Sequence, residues 1–199
     1  IRTYGFAITG NGSSGYGNVD LDINGGTLVS YASLGVYHPQ VGNMTVDGNA
    51  EIRGTTGIEM RAGSLTVNSG NIFGSDKPTV SNSNDNGPST SGAGIAIAQH
   101  TSKMPISVTI NGGVISGNTA LFEKNVENND GSDVEKIDIA ISGGTFNAIG
   151  ENSTSLDIGD HTVADLNITG GQYSTEVPKD YFDSEYNLWK NPDGSYQIA

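Results

Sequence analysis

Three aspartates, Asp20, Asp22 and Asp47, lie in short segments of alternating apolar and polar residues, Asp20-Leu21-Asp22-Ile23-Asn24 and Met44-Thr45-Val46-Asp47. Alternation with period two marks a strand with one buried face, so the aspartates point outward. Oxygen ligands of this kind suit Ca²⁺, and paired carboxylates are the equipment of glycoside hydrolysis. Thr45, Thr66 and Thr109 belong to the same outward face and add hydroxyls for a polar ligand. Acid–base cleavage of a polyuronate needs a cation beside the carboxylates. The only arginines, Arg2, Arg53 and Arg61, fall on other segments. His38, His100 and His161 fall at or after a different set of strands, irregularly spaced and without a common carboxylate, which favours surface histidines over a metal site. Trp189 stands in an aromatic-rich tail with Tyr173, Tyr181, Phe182, Tyr186 and Tyr196, where an indole would offer a stacking platform for a sugar. The pattern predicts binding rather than turnover. No cofactor is expected beyond a Ca²⁺ ion that Asp20, Asp22 and Asp47 could share.

What must position these residues is a recurring phrase, cleanest at Ser107-Val108-Thr109-Ile110-Asn111-Gly112-Gly113-Val114-Ile115-Ser116-Gly117. It returns around Gly25-Gly26, Gly143-Gly144 and Gly170-Gly171, and in degraded form around Gly48 and Gly70. A Gly pair after a strand suits a sharp corner, since only Gly takes positive φ without steric cost. The steps from Ile23 to Val46 and from Val46 to Val67 match the roughly 20–25 residues of a solenoid turn. Longer steps to Ile110, Ile141 and Ile168 are turns with insertions. Neither a leucine-rich pattern nor a helical apolar period is present. A second strand follows each Gly pair, at Leu28, Ile52, Ile72, Ile115, Phe146 and Tyr173. A third contains Ile8, Val36, Ile58, Ile95, Leu121 and Leu156.

The expected fold is therefore all-β, a right-handed single-stranded parallel β-helix with three short strands per rung. Residues 1–172 form the solenoid and residues 173–199 a C-terminal cap, with a helical turn at Pro178 and a hairpin through Asn191-Pro192-Asp193-Gly194. The polar residues before each Gly pair, Asn24, Asp47, Asn68, Asn111, Ser142 and Thr169, are expected to form a structural ladder at one corner. Two polar insertions, Ser75 to Gly92 and Glu123 to Lys136, read as exposed, mobile loops.

Composition narrows the partners. The formal net charge of −13 argues against nucleic acid and anionic membrane surfaces as partners. Cysteine is absent, so no disulfide or thiolate chemistry arises. No apolar run approaches membrane-spanning length. A chain that opens at Ile1 in what reads as mid-repeat is expected to be a segment of a longer polypeptide, with targeting and anchoring elsewhere.

The repeated apolar-x-apolar-polar-Gly-Gly-x-apolar phrase resembles the right-handed parallel β-helix regions of bacterial cell-surface proteins, adhesin-like and polysaccharide-binding. The tail from Ile168-Thr169-Gly170-Gly171-Gln172-Tyr173 to Asp193-Gly194-Ser195-Tyr196 resembles a closing module of such arrays. The resemblance implies an extracellular stalk and binding surface, with a glycan or another surface protein as partner. Two alternatives share the rungs. One is a phage tail-fibre or head-appendage β-helix, which would be trimeric and virion-borne. The other is a pectate-lyase-like polysaccharide lyase or glycoside hydrolase acting on polyuronates.

Overall fold

The structure, a computed structural model, describes residues 1–11, 17–134, 136–159 and 165–199. It is all-β, with three long sheets in which the repeat strands run parallel. The first sheet holds the strands before the Gly corners: Leu21–Asn24, Asn43–Asp47, Gly63–Val67, Ile106–Ile110, Ile137–Ile141 and Asp165–Ile168. Ile23, Val46, Val67, Ile110, Ile141 and Ile168 stand opposite one another strand by strand, and all six are buried.

The second sheet takes the strands after the corners, including Thr27–Ser30, Glu51–Arg53, Asn71–Phe73, Val114–Gly117, Thr145–Ala148 and Gln172–Tyr173. Leu28, Ile52, Ile72, Ile115, Phe146 and Tyr173 form its buried row. The row ends on two stacked rings, Phe146 and Tyr173, with centroids 5.0 Å apart. The third sheet contains Val36–His38, Ile58–Met60, Ala93–Ile97, Thr119–Glu123 and Thr154–Ile158. Its inward row, Val36, Ile58, Ile95, Leu121 and Leu156, joins the other two rows in one apolar core. Three parallel sheets visited in rotation are compatible with a parallel β-helix. No helix among the described residues is long and apolar enough to cross a membrane.

The Gly pairs divide their duties. Gly113, Gly144 and Gly171 have φ of 86°, 93° and 109°, a backbone that L residues rarely take. Gly112, Gly143 and Gly170 are held by contact instead. A Cβ there would sit 2.4, 2.5 and 2.4 Å from the carbonyl oxygens of Asn68, Asn111 and Ser142 on the preceding corner. Positive φ at both positions occurs at Gly25 and Gly26.

Two expectations need correction. The insertions are not simply exposed loops. The first contains an antiparallel pair, Val80–Ser81 with Thr90–Ser91, and buries Ser89 and Thr90. The second buries Val126, Asn129 and Val134, the last in the short helix Gly131–Val134. Both lie over the outer side of the third sheet, so Tyr37, Glu59, Ala96 and Phe122 are buried on that side as well. Nor are the histidines on the surface. His38 and His100 are 4 % and 9 % exposed, while His161 lies outside the described residues.

The tail follows the second sheet. Tyr196–Ile198 pairs antiparallel with Gln172–Tyr173, and Leu188–Lys190 pairs with Tyr196–Ile198 in turn. A 3₁₀ turn, Lys179–Tyr181, follows Pro178. Val177, Tyr181 and Ile198 pack into the main core.

Candidate functional site

On the outward side of the first sheet, Asp22 stands opposite Thr45, Thr45 opposite Thr66, and Thr66 opposite Thr109. Parallel strands place such groups about 4.8 Å apart. The β-branched threonines suit a pleated, half-buried surface. None of these four side chains has a hydrogen-bond partner among the described residues. The result is a row of one carboxylate and three hydroxyls with unused hydrogen-bonding capacity.

The flanking row is spent on itself. Asp20 Oδ1 accepts the Asn43 backbone N–H at 2.8 Å and its side-chain amide at 3.2 Å. The Ser64 hydroxyl donates to Asn43 Oδ1 at 2.7 Å. Asp47 belongs to the corner, opposite Asn24. The Ser69 hydroxyl and then the Gly48 N–H, each at 2.7 Å, hold its carboxyl below the usual range. Farther along the same corner, Asn111 donates to Asn68 and Ser142 donates to Asn111, both at 3.0 Å. Asp20, Asp22 and Asp47 thus occupy separate rows. Among the described residues, no three His, Asp or Glu side chains converge as a metal site.

The densest polar cluster is one that sequence reasoning did not find. Glu59 lies on the outer side of the third sheet, opposite Tyr37 and Ala96. Its carboxylate accepts the Ser89 N–H and hydroxyl at 2.8 and 2.9 Å and the Thr90 N–H at 3.0 Å. Arg61 donates to Glu127 at 2.6 Å and to the Gly87 carbonyl at 3.1 Å, with Glu59 at 3.5 Å. Glu127 also accepts from the Ser83 hydroxyl and the Asn84 N–H. Two carboxylates share one buried cation, and their environments separate them. Burial pushes Glu59 up. Burial also acts to raise Glu127, but bonds from Ser83, Asn84 and Arg61 outweigh it and hold that carboxyl low. The Tyr37 phenol donates to Gly87 at 3.0 Å and is pushed up to about 12, chiefly by burial. Tyr37, Glu59 and Arg61 all bond to groups of the two insertions, so the cluster works as their anchor. The one sequence signal was the pair Glu59 and Arg61, opposite charges two residues apart on either side of Met60.

Beside this anchor lies a cleft of about 330 Å³, lined in part by Phe6, Tyr37, Asn86 and His100. His100 Nε2 is engaged there with the Asp85 carbonyl at 2.7 Å. At the far end of the molecule, Trp189 is 59 % exposed on the outermost strand of the second sheet. Comparison with protein-family models, with curated proteins and with solved structures gives no match for this chain.

Proposed function

We propose that the chain is a right-handed parallel β-helix of three strands per rung, closed by residues 173–199. In this reading it serves as the non-enzymatic, glycan-binding stalk of a bacterial surface protein. Right-handed winding is the default for parallel crossovers. The observation that carries the binding role is the open row Asp22, Thr45, Thr66 and Thr109. Hydroxyl and carboxylate groups repeated at strand spacing on a rigid sheet complement the repeated hydroxyls of an extended polysaccharide. Each contact is weak, so affinity accumulates over several strands. The net charge of −13 favours neutral glycans, or acidic ones bridged by Ca²⁺ at Asp22.

The test is a glycan array probed with the whole chain, with and without Ca²⁺, beside a Thr66→Val/Thr109→Val double variant. Retention of extended glycans that drops in the double variant is the expected result. If Ca²⁺ is held, a chelator lowers the melting temperature by linkage, and Asp22→Asn removes that response. Release of new reducing ends or unsaturated products, abolished by Asp22→Asn, would replace a binding stalk with an enzyme.

A further inference from the structure

We propose that the C-terminal end of the second sheet is a saccharide subsite for a neutral, unbranched glycan. One pyranose ring stacks on Trp189, and the chain runs across Gln197 and Gln172 toward Thr145. This rests on the glycan-binding reading above and adds to it a place and a ligand class.

Register carries the inference. Trp189 stands opposite Gln197, Gln197 opposite Gln172, and Gln172 opposite Thr145. Tyr173 and Ile198, the strand neighbours of Gln172 and Gln197, are buried, so by alternation these four side chains rise from the outer side. Trp189, Gln172 and Gln197 are all exposed, and Thr145 partly so. Their polar groups have no hydrogen-bond partner among the described residues. An exposed indole next to two uncommitted amides matches a sugar, whose ring has an apolar C–H face and a hydroxyl rim. Neighbouring strands are about 4.8 Å apart, close to the length of one pyranose unit.

The groove alongside reinforces this. A shallow trough of about 380 Å³ is floored by the corner glycines, including Gly113, Gly144 and Gly171, and walled by Thr145, Gln172 and Gln197. The glycines are there for φ and for backbone contact, but the effect is a floor from which no side chain projects. Charge selects the class. From Trp189 through Thr145 to Val114 and Asn71 the row holds no ionisable group, and Glu51 comes next. A polyanion gains no cation from this row and meets a chain of net charge −13.

Trp189 is the only tryptophan, so its emission reports this one place. The chain is titrated with cello-, xylo- and mannohexaose and, separately, with oligogalacturonate. The expected result is a saturable emission change with at least one neutral hexaose and none with oligogalacturonate. Gln197→Ala should weaken that binding about tenfold at an unchanged melting temperature. Trp189→Ala should abolish retention on the corresponding insoluble polysaccharide. No emission change with any neutral hexaose, a preference for oligogalacturonate, or a change that tracks self-association overturns the subsite. Array binding that survives Trp189→Ala but not Thr66→Val/Thr109→Val also removes the subsite, while the general reading stands. No binding to any glycan on the array removes both.

Discussion

Arg61 is the buried cation between two carboxylates. Its guanidinium has no solvent exposure and faces Glu127 at 2.6 Å and Glu59 at 3.5 Å. Removing one partner of a buried ion cluster strands the others without water, a cost of about 3–5 kcal/mol. Arg61→Ala should therefore lose stability on that scale in urea denaturation, and proteolysis should find residues 83–91 first. His38 belongs to the same scale. It stands opposite Met60, and its Nε2 is buried without a partner among the described residues. Burial lowers its imidazole from the ordinary 6.5. The unfolded chain then takes up the proton at higher pH than the folded one. Stability is present above the unfolded value and declines as pH falls from there toward the lowered folded value. The melting temperature should be lower at about pH 5.5 than at about pH 7.5. His38→Met, matching Met60, should shrink the difference.

At the scale of elements, the corners set the tolerance of the fold. The Gly143 position faces the Asn111 carbonyl so closely that Gly143→Ala must shift backbone rather than a side-chain tip. Overpacking of this kind costs about 1–3 kcal/mol. Gly131, at the start of the short helix, has nothing within 4 Å of its would-be Cβ. Gly131→Ala should be close to neutral in the same denaturation experiment. Equal effects of the two substitutions would mean that the corner contact is looser than the geometry indicates.

At the scale of the whole molecule, the tail packs against the end of the core. The Tyr181 hydroxyl donates to the Ile158 carbonyl at 3.1 Å and accepts the Ile158 N–H at 3.0 Å, and Ile198 packs in the core. Deleting Pro178 to Ala199 uncovers these groups and leaves the Gln172–Tyr173 strand with an open edge. The truncated chain should associate in sedimentation and melt at lower temperature. A truncated chain that stays monomeric with unchanged melting would make the tail a separate module.

The alternation of Ile23, Val46, Val67, Ile110, Ile141 and Ile168, and of the two rows beside them, was enough to assign strands to three sheets in register. Period-two burial is a local property, and each copy of the phrase states it again. The open threonine row was legible for the same reason, because outward residues are the complement of inward ones. The insertions were not. Polar composition predicts exposure, yet Ser89, Thr90 and Asn129 are buried because they satisfy Glu59, Gln99 and the His100 carbonyl. Arg61 and Glu127 are 66 residues apart, and no periodic signal joins a strand to a loop at that distance. The expected hairpin brings Trp189 toward Gln197, but spacing could not place that pair beside Gln172. That neighbourhood exists because the hairpin adds antiparallel to the last parallel strand, a pairing that only the folded sheet edge decides.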